Sequence, residues 1–365
     1  MILQRARALA REWGTRGAPS RALPPEVLHR VYGLWLVALS LKVLGATWDV
    51  AWHFRWLRDD LAPPHLLNTA GTVLVILLVG FHSWTGYGVD RTALRLLQAG
   101  IGLFLAAVPV DLVNHRINGL DITAWSVSHG LLYAGTALML AGVVRGWAGS
   151  ATGTLRTPVL VALWALVLEN VWFPAQQQEY GVLALAAWDR GEPDAEPVLL
   201  QFAADQIGRP VDRVAVLHFA LPVPEWVYPV WLVAAAGLVL VLARLSVGGR
   251  WTATAVAGAY VAFRCAAWPA LVAGGFPPSA VPFALLGAAV AVDVAFRLRP
   301  GLRPVLGPLA VAAGAGAALW AQDTSLALPP VAGPGVLAGA VLLAAGWAVA
   351  ARVAARSATT GRPVG

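Results

Sequence analysis

The sequence predicts an all-α, polytopic transmembrane bundle of about ten helices, and three observations carry that expectation. Hydrophobic residues make up 58% of the 365 and charged residues only 12%, about half the charged share of an ordinary soluble domain. Apolar stretches near the roughly 20 residues needed to cross a bilayer recur along the whole chain. The arginines collect at the amino end and then on every second connection, the distribution expected when cytoplasmic loops hold the excess of positive charge.

The elements follow in order. Residues 1–30 open MILQRARALAREWGTRG, which lacks the long apolar region and small-residue cleavage site of a signal peptide, and read as a basic cytoplasmic arm. Spans are expected near Val31–Trp52, His65–Trp84, Arg91–Asn114, Ser126–Val144, Thr157–Trp172, Tyr228–Leu245, Thr252–Val272, Val281–Phe296, Val305–Trp320 and Val336–Val353. The eighth and ninth are short, so the count carries a margin of one or two. Arg5, Arg7, Arg11, Arg16, Arg21 and Arg30 precede the first span. Arg91 and Arg95, Arg145 and Arg156, Arg244 and Arg250, the Arg297–Arg303 group and Arg352–Arg362 then fall on alternate connections. An even count with both termini cytoplasmic accommodates all of them. The longest connection, about 173–227, is expected outside, and a connection of that length is usually functional. The chain thus divides into the arm, a four-helix region at 31–145, and further spans with the long loop at 146–365.

Composition narrows the function. The net charge of +7 is arginine on short loops rather than a nucleic-acid-binding stripe, so nucleic acid is excluded as a partner. A single cysteine, Cys265, excludes a disulfide framework and a cysteine-rich metal site. The 17 tryptophans gather at expected helix ends, as an aromatic belt does.

Chemistry concentrates in two aligned blocks. Asp49, His53, Asp59, His65 and Gly71 form D-x3-H-x5-D-x5-H-x5-G, and Asp111, His115, Asp121, His129 and Gly135 form D-x3-H-x5-D-x7-H-x5-G. Four of the seven histidines sit at matching places in this internal repeat. Residues four apart share a helix face, so Asp49 with His53, and Asp111 with His115, point the same way. A tight hairpin then returns His65 or His129 beside them. Each block offers one carboxylate and two imidazoles, a set that suits copper, zinc or iron rather than calcium or magnesium. Asp59 and Asp121 are candidates for a fourth ligand or for holding a ring by its far nitrogen. The topology above puts both blocks on the extracytoplasmic side. Pro109 is expected to bend the third helix near Asp111. The plainer alternative is that these residues cap helices or pair with Arg55, Arg58 or Arg116 at the interface. Capping requires no third residue at a fixed offset on the next helix.

The first block, WDVAWHFRWLRDDLAPPH, resembles the copper-site segment of the C subunit of particulate methane and ammonia monooxygenases. Asp49, Trp52, His53, Arg58, Asp59, Pro63 and His65 match that segment in order, with one residue fewer between the histidines. Asp111, His115 and His129 keep the spacing of that subunit's second copper site, with Asp in place of Asn. The resemblance covers about a quarter of the chain. It implies two copper sites, Asp49–His53–His65 and Asp111–His115–His129, and oxidation of a small apolar substrate together with other membrane subunits.

Other residues are weaker candidates. Glu169 and Asn170, near the end of the fifth span, are either neighbours of the metal region or bonded within the bundle. Lys42, the sole lysine, lies seven residues before Asp49 as a counter-charge or ion-pair partner. Arg264 and Asp293 are expected to pair. His218 is a lone interfacial histidine, and His29 and His82 fall on the inner side. The function classes that remain are a copper membrane oxygenase component, a metal-binding or assembly protein without turnover, and an ion or solute transporter. Zinc or iron stand as alternatives to copper. The partners considered are the lipid bilayer, other membrane subunits and a second copy of the chain.

Overall fold

The computed structural model describes residues 13–57, 61–118 and 122–360, and every regular element among them is helical. In chain order these are α1 (Pro25–His53), α2 (Pro63–Thr85), α3 (Arg91–Asn118), α4 (Val127–Ser150), α5 (Arg156–Asp189), α6 (Pro197–Gln206) and α7 (Arg213–Ala220). They continue with α8 (Val227–Val247), α9 (Thr252–Ala273), α10 (Ala284–Ala295), α11 (Arg303–Ser325) and α12 (Gly333–Thr360). Nine of the described helices are long and apolar enough to cross a membrane. The eighth expected span is the short one: α10 has 12 residues, a rise of roughly 18 Å.

Local chemistry sets the helix ends around the two blocks. Pro63 and Pro64 open α2, where a missing N–H costs nothing and φ is already helical. Gly86, at φ 67°, closes it in the left-handed conformation. Ser126 caps α4 by accepting from the His129 amide at 3.2 Å, which fixes the first turn carrying that histidine. Pro109 lies inside α3, as expected.

The fifth helix departs from expectation. It does not end at Trp172 but runs 34 residues to Asp189, with Pro174 inside it. The polar run Gln176–Gln177–Gln178–Glu179 reads as loop by composition, yet all four are buried. Bonds reward that burial: Glu179 accepts from Trp172 Nε1 at 2.8 Å and Gln177 Nε2 donates to the Phe219 carbonyl at 3.1 Å. The remainder of the expected long loop contains α6 and α7.

The chain forms two compact units, residues 1–49 with 59–170, and residues 50–58 with 171–365. In the first, small residues bring helices to backbone contact. A Cβ on Gly71 of α2 would lie 2.6 Å from the Ala38 carbonyl of α1, and one on Gly135 of α4 would lie 2.9 Å from the Gly100 carbonyl of α3. These two glycines, the last residues of the two sequence blocks, thus occupy the crossing points of their hairpins. His82 is fully buried, with Trp35 Nε1 donating to its Nε2 at 3.0 Å and its Nδ1 donating to the Tyr87 carbonyl at 2.7 Å. Both ring nitrogens are engaged, and the residue is a neutral core histidine.

In the second unit, Arg264 and Asp293 do not pair. Arg264 Nη1 donates to Glu179 Oε2 at 2.7 Å. Asp293 accepts from the Ala253 and Thr254 amides and from Thr254 Oγ1, with Arg244 Nε at 3.4 Å. The expectation failed for two reasons. Extending α5 puts Glu179 beside Arg264, and Asp293 meets the start of α9, whose free amides and positive dipole end attract a carboxylate.

Candidate metal centre

The first trio is brought together. Asp49 and His53 occupy the last two turns of α1, and His65 the first turn of α2. Asp49 Oδ1 lies 2.8 Å from His65 Nε2. One donor atom from each of Asp49, His53 and His65 falls within 4.8 Å of the others, the one such group among the described residues. All three are partly buried. Three nitrogen or oxygen ligands at about 2.0–2.2 Å from one ion stand roughly 3.3–3.8 Å apart. The trio is therefore within about an ångström of closing on a single ion. Its donors, one carboxylate and two imidazoles, fit copper, zinc or iron and leave room for further ligands.

Polar side chains of α1 ahead of Asp49 engage α2, α3 and α5. Thr47, two residues before Asp49, donates to Glu169 Oε1 of α5 at 2.7 Å. Glu169 is 2% exposed, so the expected intramembrane carboxylate bonds to the helix that carries Asp49. Lys42 does not act as a close counter-ion to Asp49. Its Nζ donates to Asn68 Oδ1 and Thr72 Oγ1, each at 2.9 Å, and stands 3.7 Å from the centre of the Phe104 ring. Two hydrogen bonds and a cation–π contact occupy its three N–H directions.

Of the second trio, two members meet. Asp111, 5% exposed on α3, has Oδ1 4.0 Å from His129 Nε2. The far nitrogen, His129 Nδ1, lies 2.7 Å from the Thr123 carbonyl. A backbone acceptor at Nδ1 is the arrangement that orients a ligating imidazole and leaves Nε2 aimed at the metal position. Tyr133 stacks on the His129 ring with centroids 6.3 Å apart, and its carbonyl accepts from Asn170 Nδ2 at 3.1 Å. The side chain of His115 lies outside the described residues, as do Arg58, Asp59 and Asp121.

Sequence reasoning missed one polar centre. Glu179 Oε1 accepts from Trp172 Nε1 at 2.8 Å and from the Tyr228 hydroxyl at 3.1 Å, while Oε2 takes Arg264. Arg264 also reaches Tyr260, Ser279 and the Ala280 carbonyl. Trp172 and Glu179 lie seven residues apart and hence on one helix face, a signal hidden by ending the helix at Trp172. Just after Tyr228, Trp231–Ala236 form a π-helical turn, and Trp231 Nε1 donates to the Val171 carbonyl at 2.7 Å.

Comparison with protein-family models, curated proteins and solved structures finds no match to this chain.

Proposed function

We propose that this chain is a multi-pass protein of the plasma membrane that holds a transition metal at Asp49, His53 and His65, with a second site at Asp111, His115 and His129. The observation that carries the reading is the convergence of the first trio, with its 2.8 Å approach of Asp49 to His65 and one donor atom from each residue within 4.8 Å of the others. The orientation of His129 by Thr123 supports the second site. The matching crossing-point roles of Gly71 and Gly135 support the duplication. The metal proposed is copper, on the resemblance of the two blocks to the C subunit of copper membrane monooxygenases. Bound copper would supply one-electron redox chemistry for oxidising a small apolar substrate with partner subunits. The chain's own residues hold the ion, set the imidazole orientations and keep the site within reach of molecules dissolved in the bilayer. Both termini are assigned to the cytoplasm and the metal sites to the extracytoplasmic side, on the arginine distribution.

Elemental analysis of detergent-extracted protein tests this. Wild-type protein is expected to carry one or two copper ions per chain, and His53→Ala with His65→Ala to lose one of them. The same metal content in wild type and the double variant rejects the site. Metal binding without any oxygen-dependent product, even with co-encoded membrane partners present, supports a metal-holding or assembly protein instead.

A further inference from the structure

His53 is the last residue of α1, and a ligand at a helix terminus is poorly placed by the helix itself. The final turn lacks onward hydrogen bonds and frays. Here the chain beyond it is held from outside. Arg55 and Trp56 amides both return to the Trp52 carbonyl, each at 2.9 Å, turning the backbone. Phe54, 2% exposed, packs its ring on Tyr180 and Phe219, with centroids at 5.5 and 5.1 Å. Then three bonds join residues 55–57 to residues 194–196. Arg55 Nη1 donates to the Asp194 carbonyl at 2.8 Å, the Glu196 amide donates to the Arg55 carbonyl at 3.0 Å, and the Leu57 amide donates to Glu196 Oε1 at 2.7 Å.

Glu196 is the informative residue. It occupies the cap position of α6, ahead of Pro197, yet its side chain makes no capping bond to that helix. Ser, Thr, Asp and Asn are the residues that ordinarily cap a first turn with a side-chain oxygen, and Glu is not among them. This carboxylate goes instead to an amide 139 residues away in the sequence, four residues beyond His53. That bond gives a fixed point to the segment that follows His53.

We infer that Glu196, with Arg55, is a positioning pair for the metal centre: the 194–196 strap holds the chain after His53 so that its imidazole meets Asp49 and His65. The inference rests on the metal reading above. It assigns a task to the long connection between α5 and α8, which is to complete a site whose ligands lie in the first two helices. Outer residues that orient ligands typically change metal affinity 10- to 100-fold when removed.

The test uses the full-length protein in detergent, with two readouts. One is Cu(II) affinity against a competing chelator, and the other is hydrogen exchange of the Leu57 amide in metal-free protein. Glu196→Ala is expected to speed Leu57 exchange and weaken Cu(II) binding at the Asp49–His53–His65 site by about 10- to 100-fold. Glu196→Gln keeps an acceptor oxygen and is expected to retain both properties. Should Glu196→Ala fail to fold, Arg55→Ala opens the other side of the strap and is expected to weaken binding in the same direction. Faster Leu57 exchange with wild-type copper affinity overturns the positioning role, and so does unchanged exchange in Glu196→Ala. Wild-type protein that takes up no copper overturns the metal reading itself, and is distinguished by Leu57 exchange that still responds to Glu196→Ala.

Discussion

At the scale of single residues, Asp90 offers the clearest link between a contact and a measurable response. It precedes α3, where its Oδ1 accepts from the Ala93 amide at 2.6 Å, and Arg145 Nη2 of α4 lies 2.7 Å from its Oδ2. Partial burial by itself raises the Asp90 pKa. The bonds from Arg145 and the Ala93 and Thr92 amides outweigh that effect and hold it below the ordinary aspartate value. A carboxylate with a depressed folded-state pKa contributes stability above its unfolded value and loses that contribution as pH falls through the folded one. Asp90→Asn is therefore expected to lower the midpoint of thermal unfolding in detergent at pH 7. The gap to wild type should close as pH drops below about 4. Because the pair is partly exposed, the loss should be modest, about 0.5–1 kcal/mol. A gap that stays constant from pH 7 down to the lowest pH at which the protein remains folded would assign the effect to packing. The residues of the candidate metal centre were legible at this same scale: four-residue spacing put Asp49 and His53 on one face, and the hairpin returned His65. Glu196 was not legible, because its partner amide at Leu57 is remote in sequence and a backbone amide leaves no mark in residue type.

At the scale of elements, α5 illustrates what composition hides. Apolar length marked where spans begin, since a helix in lipid must be apolar on the faces that meet lipid. It failed to mark where α5 ends, because a buried helix carries polar residues wherever other helices supply partners. Glu179 and Arg264 are 0% and 2% exposed, joined at 2.7 Å, with indole and phenol donors completing the carboxylate. Removing one member leaves a buried charge without its complement, which costs about 3–5 kcal/mol, whereas an apolar replacement of both is far milder. Glu179→Leu is accordingly expected to abolish or sharply reduce folded protein. Glu179→Leu with Arg264→Met should recover most of it, scored by monodisperse yield and thermal unfolding. A double variant no better than the single one would mean that the two charges do not act as a pair.

At the scale of the whole molecule, the number of crossings depends on α10. Its 12 residues rise roughly 18 Å, short of a hydrocarbon core about 30 Å thick. The stretch before it, 276–283, is not helical, and open backbone is tolerated at membrane depth only where protein satisfies its polar groups. That condition is met here. The Ala280 amide donates to the Glu179 carbonyl at 2.9 Å, and Arg264 Nη2 donates to the Ala280 carbonyl at 3.3 Å. Gln322 of α11 donates from Nε2 to the Val281 carbonyl at 2.9 Å and accepts from the Ala284 amide at 3.1 Å. The polar residues Glu179, Arg264 and Gln322, each buried, thus satisfy the backbone of the extended segment that leads into α10. Nine long apolar helices among the described residues and a tenth crossing through 276–295 would put both chain ends on one side, which is the topology proposed from the alternating arginines. With Cys265 replaced by Ala, single cysteines at Ala10 and Ser357 are expected to resist a membrane-impermeant maleimide in intact cells and to react after permeabilisation. A cysteine at Glu192, in the connection between α5 and α6, should react without it. Labelling of Ala10 and Ser357 positions from opposite sides would give an odd number of crossings and leave 276–295 dipping into the bilayer and out again on one face.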